Sequence, residues 1–223
     1  MLPGRGCRTP EYDIAGHLES AYRARADVFD WSQDDVHLTL TLVDGSNSGG
    51  VHALQSTLTL TALLLLIELG TGLATVVLAG SPRLLILREG QFYEPRLTGQ
   101  VPMGMFQDND YVEQVALACG DRVAIVSDGV HEARGTHRDR FGEVALADLL
   151  SETATESVER VMRRVVDELY THRGDDGLDD NAVVVCRDWT GPGRPAATTG
   201  SAPVEASVEL QAWAPKLRAV MSR

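Results

Sequence analysis

Aspartates lie at the ends of apolar runs in three places along the chain. Asp44 and Asp128 each follow such a run and precede a glycine, and Asp179–Asp180 stand just before another. Asp-Gly is common in hairpin turns, so turn formation alone is one interpretation of these pairs. A two-residue hairpin needs a strand to resume at once, however, and neither "SNSGG" (46–50) nor "VHEARG" (130–135) resumes one.

The alternative interpretation is a cluster of carboxylates that binds metal ions. Carboxylates that converge without basic residues beside them repel one another, and a divalent cation relieves that repulsion. Asp27, in the alternating "RADVFDW" (25–31), is a fourth candidate, although a solvated edge residue would look the same. Oxygen ligands without His or Cys spacing favour Mg²⁺ or Mn²⁺ over zinc.

Two such ions suit phosphate-ester hydrolysis. Ions about 3.5–4 Å apart can activate a bridging water and hold the phosphoryl oxygens, so no side-chain nucleophile is required. The sequence contains neither a G-x-S-x-G elbow nor a P-loop, which agrees with that chemistry.

The elements that must position these residues are mainly strands, which predicts an α+β fold with antiparallel sheets. Val51, Leu54, Leu58 and Ala62 have helical spacing and predict a short helix, and two further helices are predicted at 141–152 and 157–172. Strands are predicted at 12–22, 25–31, 34–45, 62–69, 73–80, 83–90, 118–129 and 181–189.

The three runs between 62 and 90 have the pattern of an antiparallel meander. The window 58–80 approaches the length of a membrane-spanning helix. Glu68 and the "GTG" at 70–72 favour a strand, a turn and a second strand there instead.

Composition limits the partners of the chain. The formal charge of −12 would repel nucleic acid and anionic membrane surfaces. Three cysteines without a C-x-x-C pair predict a reducing, cytoplasmic setting, and the N-terminus lacks the apolar segment of a secretory signal. We expect a flexible N-terminus (1–10), one domain (11–189), a linker (190–203) and a C-terminal tail (204–223) that docks or is disordered.

The order of the motifs resembles the metal-dependent PPM protein serine/threonine phosphatases, specifically the bacterial stage II sporulation E-like branch. The resemblance covers about residues 11 to 189 and rests on Asp27 followed by "VDG", "AGSP", "VPMGMF", "GDRVAIVSDGVHEARG", "RFGE" and "DDNAVVV". It implies a β-sandwich flanked by helices, two Mn²⁺ or Mg²⁺ ions, and hydrolysis of phosphoserine or phosphothreonine by an activated water. The substrates it implies are phosphorylated regulatory proteins of the anti-sigma-factor antagonist type.

The resemblance also assigns ligands. Asp27 matches the family's G-D aspartate, Asp44 its bridging aspartate, and Gly45 would offer its carbonyl oxygen. Asp128 would bind the second ion. Asp179 matches the first residue of D-D-x-A/T, and Asp180 takes its place if the register slips by one.

The chain departs from the family pattern in four places. Ala26 stands where glycine is usual, the loop "DGSNSGG" lacks the family's histidine, and A-G-H-P has become "AGSP". One of two helical segments before 62–69 is missing, which should leave apolar sheet surface for the tail, a rearranged helix or the partner chain of a homodimer. These departures motivate an alternative function, a catalytically degenerate domain that acts as a regulatory binding or dimerisation module.

Overall fold

The computed structural model describes residues 6–19, 27–47, 58–98, 101–103, 112–135, 140–174 and 182–190. The chain divides into two compact units, Met1–Gly193 and Arg194–Arg223, and the second lies outside the described residues. The strands are β1 (Gly6–Arg8), β2 (Tyr12–Glu19), β3 (Val28–Gln33), β4 (His37–Asn47), β5 (Leu58–Glu68), β6 (Leu73–Ala79), β7 (Arg83–Arg88), β8 (Gln91–Tyr93), β9 (Val112–Ala116), β10 (Arg122–Val126) and β11 (Ala182–Trp189). The helices are α1 (Asp128–His131), α2 (Gly142–Glu152) and α3 (Val158–Arg173).

The strands form two antiparallel sheets. One has six strands in the order β1-β2-β11-β10-β7-β8, and the other has five in the order β3-β4-β5-β6-β9. Alternation along β4 places Leu38, Leu40 and Leu42 in the core between the sheets, each no more than 1% exposed, while the threonines between them face outward. The predicted α+β fold with antiparallel sheets is confirmed.

The three helices pack over the outer face of the six-stranded sheet. Helix α3 has Val158, Val161, Val165 and Leu169 on one buried stripe, the spacing expected of an amphipathic helix. They pack against Ala124 and Val126 of β10 and other outward-facing residues of the same sheet. The predicted helices at 141–152 and 157–172 are therefore confirmed to within a residue or two.

Two predictions about the middle of the chain are wrong. The proposed helix through Leu58 and Ala62 conflicts with β5, which pairs along its length with β4, while residues 51–57 lie outside the described residues. The predicted meander holds for β5 and β6, but β7 crosses to the other sheet and pairs with β10. Apolar runs show that strands are buried, but they do not show which of two sheets a strand joins.

The window 58–80 forms β5, a turn and β6, as predicted from Glu68 and the glycines. Within the described segments, no helix is long and apolar enough to cross a membrane. Cys7 and Cys119 are free and exposed.

Candidate metal centre

Two contacts between the sheets show which residues of the two sheets face each other. A Cβ on Gly16 of β2 would lie 2.5 Å from Cε2 of Phe29 in β3, so only glycine allows this close approach. Four residues earlier in β2, the Tyr12 hydroxyl donates a hydrogen bond of 2.5 Å to Oε1 of Gln33, at the far end of β3. The end of β2 and the start of β3 therefore lie at the same end of the sandwich.

Strand pairing shows which residues of the neighbouring strands lie at the same height along the sandwich as Gly16 and Phe29. Gly16 pairs with Val185 of β11, which pairs in turn with Ile125 of β10. In the other sheet, Phe29 pairs with Leu42 of β4. Ile125 and Leu42 therefore lie at one level, in facing sheets.

Three predicted ligands lie just beyond that level, at the same end of the sandwich. Asp128 follows Ile125 by three residues in the six-stranded sheet. In the five-stranded sheet, Asp44 follows Leu42 by two residues, and Asp27 immediately precedes β3. The fold thus brings to one end carboxylates that are up to 101 residues apart in sequence.

Asp27 and Asp44 lie on neighbouring strands. Val28 pairs with Val43, and continuing that register by one residue sets Asp27 opposite Asp44. The backbone N–H of Gly45 donates a hydrogen bond of 3.3 Å to Oδ1 of Asp27. Asp27, Asp44 and Gly45 thus form one corner of the candidate site.

Asp44 is 1% exposed and lies inside β4, where it pairs with Thr61 of β5. The strand continues through Gly45 to Asn47, so the interpretation of Asp44-Gly45 as a hairpin turn is wrong. The side chain shares the inward-facing parity of Leu42, which directs it into the space between the sheets.

Asp128 begins α1 instead of a hairpin. Ser127, which precedes it, has extended backbone angles, and Asp128 lies in the first turn of this four-residue helix. Among the described residues, Oδ1 of Asp128 is buried and has no hydrogen-bond partner. A buried carboxylate oxygen is costly unless a cation or a hydrogen-bond donor contacts it.

The remaining predicted ligands, Asp179 and Asp180, lie outside the described residues. In the described part of the chain, no three His, Cys, Asp or Glu side chains are already close enough to hold an ion. The described carboxylates therefore supply two corners of a site, one from each sheet.

Sequence reasoning missed a pair of hydroxyls beside Asp44. Oγ1 of Thr61 lies 3.2 Å from Oγ of Ser81, in the turn between β6 and β7, and Thr61 is 6% exposed. Thr61 is a polar residue at an inward-facing position of β5, and Ser81 is the altered residue of "AGSP".

The opposite end of the sandwich carries ion pairs that stabilise the fold. Arg88 donates two hydrogen bonds to Asp121, at 2.9 and 2.6 Å, and this pairing raises the pKa of the guanidinium. Arg122 pairs in the same way with Asp188 and also donates to the carbonyl oxygens of Thr153 and Glu156.

Comparison with known proteins identifies the family. The family model described as stage II sporulation protein E (SpoIIE) matches residues 37–188, more than half of the chain. The chain belongs to this family. No curated protein sequence is significantly similar to it. The predicted resemblance to the SpoIIE-like branch of the PPM phosphatases is confirmed.

Several solved structures share the fold of this chain. The RsbU and RsbW domains of Rv1364c from Mycobacterium tuberculosis superpose with a TM-score of 0.68 at 20% identity, covering 94% of this chain and 69% of that one. The SiaA-PP2C domain of Pseudomonas aeruginosa gives 0.65 at 17% identity, covering 79% and 85%. The SpoIIE phosphatase domain of Bacillus subtilis gives 0.61 at 16% identity, covering 89% and 100%.

Proposed function

We propose that this SpoIIE-family chain is a metal-dependent phosphatase that hydrolyses phosphoserine or phosphothreonine on a regulatory protein. The observation that carries the proposal is the corner formed by Asp27, Asp44 and Gly45, at the same end of the sandwich as Asp128. We assign the activity to residues 11–189, followed by the linker 190–203 and the tail 204–223.

The donor set suits Mn²⁺ or Mg²⁺. Asp27, Asp44, the carbonyl oxygen of Gly45 and Asp128 are hard oxygen ligands, and Asp179 or Asp180 would complete the set. Oδ1 of Asp128 is buried without a hydrogen-bond partner among the described residues, as expected of an oxygen reserved for a cation. RsbX, a solved structure of the same fold at 14% identity and a TM-score of 0.60, was determined in complex with magnesium.

When bound, two ions would polarise the phosphoryl oxygens and lower the pKa of water, which is the chemistry that phosphomonoester hydrolysis needs. The protein residues hold the charges in place. Asp44 enters from a buried strand position, so its orientation is fixed by the β4 and β5 ladder. The Gly45 N–H donates to Oδ1 of Asp27 and so holds that carboxylate beside β4.

The relatives support a substrate class. The Mycobacterium tuberculosis neighbour joins RsbU and RsbW domains in one chain, and another neighbour belongs to a stressosome system. We infer a phosphorylated protein of the anti-sigma-factor antagonist type as substrate, in the cytoplasm. Nucleic acid and membrane partners are not expected, given the formal charge of −12.

The test is phosphatase activity with Mn²⁺, first on p-nitrophenyl phosphate and then on a phosphoserine protein. Asp44→Asn and Asp128→Asn should each lower kcat by at least about 100-fold, because even changes behind a metal ligand cost about 10–100-fold. Asp167→Asn, in an exposed position of α3, is the matched control and should retain full activity. Activity that ignores both metal and the two substitutions would refute the proposal.

Calorimetry distinguishes the proposed enzyme from the alternative, a regulatory module without catalytic activity. Ala26 and the "SNSGG" loop are the departures that favour it. A chain without heat of binding at millimolar Mn²⁺ that still associates with an antagonist protein, or with a second copy, would be such a module. Binding of Mn²⁺ that is lost in Asp44→Asn would favour the enzyme.

A further inference from the structure

The end of the five-stranded sheet that carries Asp27 and Asp44 has apolar residues on its outer face. Asp44 is 1% exposed and faces inward, so the preceding Val43 faces outward. Val28 lies opposite Val43 on β3 and is 44% exposed. Each valine is thus adjacent in the chain to a proposed ligand but lies on the other side of the sheet.

The segment 101–103 extends this apolar surface beyond β5. Leu60 precedes the inward-facing Thr61 and, beyond the last pair of β5 with β6, it forms an antiparallel bridge with Met103. The backbone N–H of Met103 donates a hydrogen bond of 2.8 Å to the carbonyl oxygen of Leu60. Opposed residues of a ladder face the same side, so Met103 faces outward with Leu60. Val101, two residues earlier, is 42% exposed.

Together these residues form an apolar strip along the outer rim of the candidate site. The strip consists of Val28, Val43, Leu60, Val101 and Met103. All five side chains are uncharged and are exposed or half-buried. The next outward-facing residues of β3 and β4, away from the site, are Asp30 and Thr41. On these two strands the strip is therefore confined to the end near the proposed ligands.

The size of the strip favours a short peptide segment over a second copy of the chain. The strip crosses three strands and the segment 101–103 at a spacing of about 4.8 Å, or about 15 Å in all, the length of four or five extended residues. A stable dimer buries about 800 Å² on each partner, which is more than five partly exposed side chains provide. Apolar side chains of an extended segment match both its length and its chemistry.

The position of the strip suits residues that flank a phosphoserine. Stacked sheets lie about 10 Å apart, so the distance from the space between the sheets to an outer face is of the same order. Two or three extended residues span about 7–10 Å. A phosphoserine held between Asp44 and Asp128 would therefore have its second and third neighbours over the rim of the five-stranded sheet.

We propose that the strip binds apolar side chains beside the phosphoserine of a protein substrate, and thereby selects which phosphorylated segments are hydrolysed. This inference rests on the proposed function and deepens it. It makes the exposed Val28 and Val101 specificity-determining residues, which contact the substrate away from the phosphoryl group.

The test compares two synthetic phosphoserine peptides in the presence of Mn²⁺. One has leucine at the second and third positions on both sides of the phosphoserine, and the other has serine at those positions in an otherwise identical sequence. The natural chain should hydrolyse the leucine peptide with a kcat/KM about 10-fold higher, because partial burial of leucine on the strip favours its binding.

The double variant Val28→Ser, Val101→Ser removes the two exposed valines of the strip. It should reduce the preference for the leucine peptide to about threefold or less, because less apolar surface is left for the leucines to contact. Val36→Ser is the matched control. Val36 is 49% exposed in the turn between β3 and β4, at the other end of the same sheet, so its loss should leave the full preference.

Three results would overturn the inference: equal hydrolysis of the two peptides by the natural chain, a full preference in the double variant, or an equal loss of preference in Val36→Ser. If the double variant fails to fold, Val101→Ser alone, which lies outside the named strands, provides the same comparison. Sedimentation velocity tests the other occupant. A dimer that Val101→Ser dissociates would assign the strip to a second copy and would also overturn the inference.

The proposed function fails differently. It fails if the natural chain with Mn²⁺ hydrolyses neither p-nitrophenyl phosphate nor either peptide. Hydrolysis of p-nitrophenyl phosphate together with both peptides equally, or with neither peptide, would remove only the present inference.

Discussion

The backbone N–H of Gly45 donates a hydrogen bond to Oδ1 of Asp27 at 3.3 Å, across the end of two neighbouring strands. The same register sets Asp27 opposite Asp44. Two carboxylates that face each other on a ladder repel one another. The proposed metal ions would relieve that repulsion.

Asp27→Asn should affect Mn²⁺ binding and the stability of the metal-free protein in opposite directions. It should weaken Mn²⁺ binding by at least about 100-fold, because it removes a proposed ligand. It should also stabilise the metal-free protein by about 0.2–1 kcal/mol, because the repulsion with Asp44 is removed. Calorimetry and metal-free urea denaturation measure the two quantities.

Asp30→Asn is the control for that experiment. Asp30 lies in the same strand but is exposed, so neither quantity should change. Unchanged Mn²⁺ affinity in Asp27→Asn would remove this residue from the ligand set.

The contact between Gly16 and Phe29 sets the level of the two sheets, and Gly16→Ala tests it. The added Cβ would lie 2.5 Å from Cε2 of Phe29, so the ring or the sheets must shift, at a cost of about 1–3 kcal/mol in the free energy of unfolding. Phe29→Leu in the same chain should remove part of that cost, with a coupling of about 0.5–3 kcal/mol.

Gly70→Ala provides the comparison, measured by the same urea denaturation. Nothing lies within 4 Å of a Cβ at Gly70, so the substitution should be neutral or slightly stabilising. Equal stabilities for Gly16→Ala and Gly70→Ala would contradict the described packing.

Local pattern was sufficient to predict most strands and both long helices, because burial on one or two faces leaves a period in the sequence. The alternation of β4 and the apolar stripe of α3 are the clearest cases. Sheet membership was not predictable in this way. The chain passes into the other sheet after the turn at Gly80, which packs against Thr61, a residue 19 positions earlier in the sequence.

The candidate site was likewise predictable only in part. Asp44 and Asp128 stood out because a carboxylate beside an apolar run is unusual, and the family order of motifs then added Asp27. The position of Thr61 opposite Asp44 was not predictable, because a threonine within a strand is ordinary and no local pattern determines the register between two strands.

Asp121 should be far more important to stability than an exposed carboxylate in a similar pair. It is 1% exposed and accepts two hydrogen bonds from Arg88 and one from the backbone of Ala118. Asp121→Asn should lower the free energy of unfolding by about 2–4 kcal/mol. Glu94→Gln alters a more exposed pair, in which Nη1 of Arg83 donates to both carboxylate oxygens, and it should change that free energy by less than about 1 kcal/mol.

Urea denaturation at pH 7 measures both variants, and neither should change Mn²⁺ affinity by as much as Asp27→Asn does. A loss in Glu94→Gln as large as that in Asp121→Asn would show that burial does not determine the strength of these pairs.

Arg187 is a buried cation whose replacement should stabilise the protein. Its side chain is fully buried beside the rings of Tyr12 and Trp189, and its three nitrogens have no hydrogen-bond partner among the described residues. Burial lowers the pKa of this guanidinium to about 9. Contact with the two rings offsets about 2 kcal/mol at most, so Arg187→Met should gain about 1–4 kcal/mol at pH 7.

The gain should depend on pH. Below pH 9 the folded protein carries the full cost of the buried charge, whereas in the unfolded chain the pKa of the guanidinium is far higher and the proton stays bound. The natural protein should therefore become more stable relative to Arg187→Met as pH rises above 9, by about 1.4 kcal/mol per unit. Urea denaturation at pH 7.5 and 10.5 measures how far the difference in stability between the natural protein and Arg187→Met becomes smaller. Arg163→Met, at an exposed position of α3, is the control. A stability difference of the same size at both pH values would show that Arg187 does not release its proton in the folded protein.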